Sequence, residues 1–150
     1  MKIAAAQMVS TPDVDRNLEA AARLVAQAAA AGAGLVALPE YFCLLGRRDD
    51  DKLRIAEPPG DGPIQRALSA MARELGLWLV GGTLPVTTGD ARQVLNRLCV
   101  YDPDGRAAAH YDKIHLFAFD NGRERYDEGR TLRAGDQPVA VQAGGLRVGL

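Results

Sequence analysis

Apolar residues fall into short unbroken runs separated by stretches of helical spacing, and that alternation predicts an α/β fold. The run KIAAAQM (Lys2–Met8) predicts a short buried strand. STPDVDRN follows, offering Asp13 or Asp15 as a helix N-cap. Leu18, Ala21, Ala22, Leu24, Val25 and Ala28 then form an apolar stripe that stops at Gly32. GLVAL (34–38) is a second strand, and its continuous apolar run suits a sheet covered on both faces. After the loop AEPPGDG, Pro63 suits the first turn of a helix running to about Leu75 and closed by Gly76.

LWLVGGTLPV predicts a third buried strand, and QVLNRLCVYDPDGRAAAHYDK a hairpin. Asp102-Pro103-Asp104-Gly105 has the residues of a type I turn. The charged stretch from Phe117 to Asp136 predicts irregular structure, and QPVAVQAGGLRVGL two more strands around Gly144-Gly145. Strand–helix alternation early and hairpins late imply a mixed sheet. Without repeats or an interdomain linker, residues 1–150 read as part of one domain. Leu150 lies inside a strand pattern with no stop signal, so the domain is expected to continue beyond it.

Composition narrows the function classes. With 150 residues, 47% hydrophobic and 25% charged, the chain reads as soluble and globular. A net charge of −1 gives no electrostatic case for nucleic acid or an acidic membrane face. No apolar run approaches the ~20 residues that span a bilayer, and the N-terminal segment is too short for a signal peptide. Cys43 and Cys99 match no metal spacing, which favours free thiols and a cytoplasmic location. His110 and His115 are too few for a metal centre, RRDDD (47–51) lacks the pattern of a calcium loop, and VGGTLP lacks phosphate-loop spacing. No cofactor or metal is expected.

Three residues are candidates for chemistry. Glu40 ends the GLVAL strand, and ligands of open α/β sheets collect at the carboxyl ends of strands. Pro39 fixes the direction in which that carboxylate leaves. Lys113, in HYDKIHLF, closes the last strand of the predicted hairpin, where an ammonium could pair with a carboxylate or stabilise an oxyanion. Glu128, in RYDEGRTLRAGD, sits in a charge-dense segment whose ordinary reading is a solvated loop.

Taken in order, KIAAAQM, LVALPEYF, LNRLCVYDPDGRAAAHYDKIHLF, DEGRTLRAGD and GGLRVGL resemble the nitrilase, or carbon–nitrogen hydrolase, superfamily, closest to its Nit-type amidase branch. The resemblance implies an αββα sandwich and a Glu–Lys–Cys triad. Glu40 stands where the family's general base stands, Lys113 where its lysine stands, and Glu128 matches a further glutamate that many members use to position the base or the lysine. Asn96 fits a strand position near the site. A carboxylate activating a thiol is expected to be buried, since desolvation brings it toward neutrality. The family's nucleophilic cysteine follows a strand resembling RVGL by a few residues, so here it is expected beyond Leu150, and residues 1–150 alone are expected to be inactive. Cys43 is not expected to replace it. The resemblance further implies a small-molecule amide substrate, short ω-amides of dicarboxylic or α-keto acids above all, and a homodimer. The reading from another class is a non-catalytic α/β binding or interaction module that keeps the pocket.

Overall fold

A computed structural model describes all 150 residues. One mixed sheet carries five strands in the order β1 (Lys2–Ala5), β2 (Ala33–Ala37), β3 (Trp78–Thr87), β4 (Val94–Tyr101) and β5 (Ala107–Asp112). The first three run parallel, and β4 and β5 are added antiparallel, as the crossover and hairpin patterns require. The helices are α1 (Val14–Ala30), the one-turn α2 (Asp51–Arg54) and α3 (Pro63–Leu75).

Local chemistry sets the helix ends. Asp13 caps α1, its carboxylate accepting from Arg16 N–H at 3.1 Å. Gly76 closes α3 at φ +62°, while Gly76 N–H donates to Arg73 C=O and Leu77 N–H to Ala72 C=O. That is a Schellman motif, and the buried Leu77 supplies its apolar contact.

The other end of α3 is capped from a distance. Gly62 has no side chain to offer, and the buried carboxylate of Glu57 accepts instead from Ile64 N–H at 2.5 Å and from Gln65 N–H at 3.1 Å. A Cβ on Gly62 would lie 2.2 Å from the Glu57 carboxyl carbon, so the glycine makes room for the cap. Charge-assisted hydrogen bonds and the helix dipole together predict that Glu57→Ala destabilises by about 2–4 kcal/mol, measured by equilibrium urea unfolding.

The sheet is covered on both faces at β2, as the GLVAL run anticipates, whereas β1, expected to be buried, lies at the sheet edge with Ile3 56% exposed. Val36 packs on the helix side with Val25 of α1 and Leu68 of α3, whereas its neighbour Leu35 faces Val80, Val100 and Ala143 on the other side. Before the segment that holds Ala143, the stretch expected to be irregular contains a small hairpin, β6 (Ala118–Asp120) and β7 (Arg125–Asp127), and a 3₁₀ turn at Glu128–Arg130. The side chain of Asn121 makes that hairpin by accepting from Arg123 and Glu124 N–H, with Gly122 at φ +81°. Ala143 itself belongs to a last hairpin of β8 (Ala140–Ala143) and β9 (Leu146–Gly149), turned by Gly144 and Gly145 at φ +56° and +86°.

β3 carries an irregularity that matters for the site. Its pairing with β4 shifts between Val80 and Thr83. Leu79 before the bulge and Leu84 after it both reach the helix-side core, which an unbroken alternation would forbid. Gly82, at φ +61°, sits against the end of β2, where an added Cβ would lie 2.3 Å from Pro39 C=O.

Candidate active site

The ends of β2 and β5 bring the three candidates together. The ammonium of Lys113 lies 3.0 Å from Glu40 Oε1 and 3.0 Å from Glu128 Oε2. Asn96 Nδ2 donates to Glu40 Oε1 at 2.7 Å. Glu128 also accepts from Phe117 N–H at 2.7 Å and from the Tyr41 hydroxyl at 3.2 Å. A charge-dense segment thus delivers one carboxylate inward, because the 3₁₀ turn points Glu128 back beneath the loop before β6.

Backbone contacts fix the bases of these side chains. Lys113 N–H donates to Asn96 C=O at 3.0 Å, and Lys113 C=O accepts from Gly135 N–H at 2.9 Å. After Glu40 the chain turns through Tyr41, whose φ of +53° is unusual for a residue with a side chain. The bulge in β3 presents Thr83 Oγ1 to Tyr41 N–H at 2.8 Å, holding that conformation. Two residues on, Cys43 C=O accepts from the buried Asn17 at 2.9 Å, tying the turn to α1.

Electrostatics favour the ionised Lys113–Glu128 pair. Burial pushes the Glu128 carboxyl up, but the Phe117 amide, the Lys113 ammonium and the Tyr41 hydroxyl outweigh it and hold it below the ordinary value. Burial likewise opposes the charge on Lys113, and the two carboxylates overcome it, so its value is raised. A depressed carboxyl stabilises the fold above its ordinary 4.5, and a raised amine does so below its ordinary 10.5. The Lys113–Glu128 pair therefore contributes fully between those limits and fails as pH leaves them on either side.

Glu40 departs from the sequence expectation. Its side chain is 48% exposed rather than buried, since it stands past the end of β2 and no element of residues 1–150 covers its outer side. Cys43 is fully buried in the helix-side core with Sγ 3.6 Å from Thr83 C=O, and burial pushes its thiol up to about 12. A thiol so placed is inert.

A pocket of about 260 Å³ opens on the Tyr41–Glu128 side of the cluster, walled by Leu44, Leu45, Lys52, Phe117 and Thr131 among others. Lys52, on the unforeseen α2, carries no mark of a site residue in the sequence. Its ammonium donates to Thr131 Oγ1 at 3.2 Å and stands 5.7 Å from the centroid of the Tyr41 ring. It makes no ion pair, and burial lowers its value. Tyr41, Thr83 and Lys52 escape sequence reasoning because each acts through a neighbour far along the chain.

Comparison with known proteins points the same way. Residues 2–150 match the carbon–nitrogen hydrolase family. A hydrolase of Mycobacterium tuberculosis is 39% identical over 154 residues, covering 100% of this chain and 51% of its own length. Omega-amidase NIT2 of Xenopus tropicalis is 32% identical over 150 residues, covering 99% of this chain and 53% of that protein. The crystal structure of the C. elegans NitFhit protein superposes with a TM-score of 0.85 at 28% identity, over 99% of this chain and 36% of that one. The chain spans about half the length of the curated relatives it matches. No helix is long and apolar enough to cross a membrane. Its mixed sheet, the ordered motifs and these similarities agree: the chain belongs to the carbon–nitrogen hydrolase family, in the Nit-type branch of the nitrilase superfamily.

Proposed function

We propose that this chain is the N-terminal part of a thiol amidase acting on small ω-amides, with Glu40 as general base, Lys113 as oxyanion donor and Glu128 as the residue that positions Lys113. The observation that carries the reading is the single ammonium held between two carboxylates at the carboxyl end of the sheet. Glu40 takes the proton of a thiol, and the thiolate attacks the amide carbon. Lys113 stabilises the oxyanion that forms, a role worth about 2.7–4 kcal/mol for one good donor. The C–N bond breaks as Glu40 returns its proton to the leaving ammonia, and water then hydrolyses the thioester. The thiol is assigned, as the family resemblance implies, to a cysteine following Leu150, since Cys43 and Cys99 are both buried. Burial pushes Cys43 up to about 12 and Cys99 to about 11. Two buried, unpaired cysteines suit a reducing compartment, which supports a cytoplasmic location.

Lys52 supports a substrate that carries a carboxylate at the end remote from its amide. A half-buried ammonium with no ionic partner, on the wall of the pocket beside the catalytic cluster, is satisfied by such a group. The test is ammonia release by the complete protein from the ω-monoamide of glutaric acid and from a neutral amide of equal length. We expect turnover of the acid, and Lys52→Met to raise its KM by about 10–100-fold while leaving the neutral amide unaffected. Absence of ammonia from both substrates would reject the amidase reading. Equal use of both would reject the role of Lys52.

A further inference from the structure

We infer that Asn96 is a positioning residue for Glu40, tying its Oε1 so that Oε2 is the oxygen that exchanges the proton; this rests on the amidase reading above.

Asn96 is 2% exposed on β4, on the sheet face that also carries Leu98 and Val100. Packing on that face calls for an apolar side chain. An asparagine stands there instead, and its Oδ1 is buried without a donor among residues 1–150. A buried acceptor left unsatisfied is a net cost, which burial on this strand does nothing to offset. The other half of the amide explains the residue: Nδ2 donates to Glu40 Oε1 at 2.7 Å. Turning the amide over would set oxygen against a carboxylate, so the carboxylate itself fixes which end faces it.

The backbone of the same residue holds the second partner. Asn96 C=O accepts from Lys113 N–H at 3.0 Å, so one position on β4 registers Lys113 through its main chain and Glu40 through its side chain. Opposite it on β3 stands Pro85, which has no amide hydrogen to offer. The groups facing Glu40 are then Asn96 from β4, Lys113 from the end of β5, with Glu128 behind it, and Tyr41 from its own turn. Both hydrogen bonds to Glu40 fall on Oε1, and Oε2 accepts none. With a side chain 48% exposed, Glu40 depends on these two donors to keep Oε2 aimed at the thiol. Lys113 alone is a flexible tether shared with Glu128, whereas Asn96 is short and locked in the sheet.

The experiment uses the complete enzyme with the ω-monoamide of glutaric acid and compares Asn96→Leu, Asn96→Asp and, as control, Glu40→Gln. Leucine removes the donor together with the unsatisfied oxygen at similar volume. Aspartate keeps the shape but presents an acceptor. We expect Asn96→Leu to lower kcat by about 10–100-fold with KM within about threefold, and a Tm no lower than that of the wild type. Asn96→Asp is expected to lose at least as much kcat. A kcat for Asn96→Leu within about threefold of wild type, beside an inactive Glu40→Gln, overturns the inference and leaves the amidase reading standing. So does a fall in Tm that accompanies the loss of kcat, which would make Asn96 merely structural. An active Glu40→Gln overturns the amidase reading and the inference with it.

Discussion

Glu40→Gln is expected to reduce kcat/KM of the complete enzyme by about 10²–10⁴-fold, with unfolding behaviour close to wild type. Glutamine keeps the shape and still offers Oε1 to Asn96 Nδ2 and to Lys113, the two contacts that hold Glu40 in place. It cannot take a proton from a thiol. Because the side chain is half exposed, its ionic contact with Lys113 adds little stability, so activity and folding should separate. Lys113→Ala makes the contrast. It removes the proposed oxyanion donor and also takes away the ammonium paired with Glu128, whose side chain is 18% exposed. Activity and stability should therefore fall together in Lys113→Ala, read by ammonia release and by urea titration of the same preparations.

The second large effect is expected far from any reacting atom, at Gly82. A left-handed backbone costs a residue with a side chain about 1–2 kcal/mol. The Cβ of alanine would also lie 2.3 Å from Pro39 C=O, a main-chain atom that cannot yield without moving the end of β2. Adding about 1–3 kcal/mol for that overpacking, Gly82→Ala should destabilise by about 2–5 kcal/mol. The damage is directed: relief of the clash shifts Pro39 and hence Glu40, or moves Thr83 away from the amide of Tyr41. Loss of kcat beyond what the unfolded fraction explains is the expected result. Gly89, where an added Cβ meets nothing within 4 Å, serves as the control glycine.

How much of the fold is legible in the sequence depends on how local each signal is. Helix α3 is legible at both ends, since Pro63 and Gly76 impose their backbone angles whatever surrounds them. β2, β3 and β4 are legible because their apolar runs are long. The β6–β7 hairpin is not, because its strands have three residues each and their side chains lie almost wholly at the surface. KIAAAQM overstates its strand, which stops at Ala5, where its pairing with β2 ends. Glu57 cannot be recognised as a helix cap, since its partners lie seven and eight residues away across Gly62. At the site, Glu40 and Lys113 have strand-end positions to mark them. Glu128 stands out from its charged neighbours only through the family resemblance. Within residues 1–150 Glu40 is half exposed, because burial depends on what lies above a strand end, which the strand itself does not encode.

The contact between Lys113 and Glu40 joins points 73 residues apart, and that between Tyr41 and Glu128 joins points 87 apart. This has a consequence in time. On a ribosome Glu40 emerges long before its partners, and it waits as an ordinary solvated carboxylate while α3 and β3 are made. Asn96 can reach it only after β4 docks, and Lys113 only after β5 follows. Loops of that length close slowly, and their entropy is recovered only when the strands pair. The site is thus among the last features of these 150 residues to form. A nascent chain can hold a nearly complete sheet and still have no site.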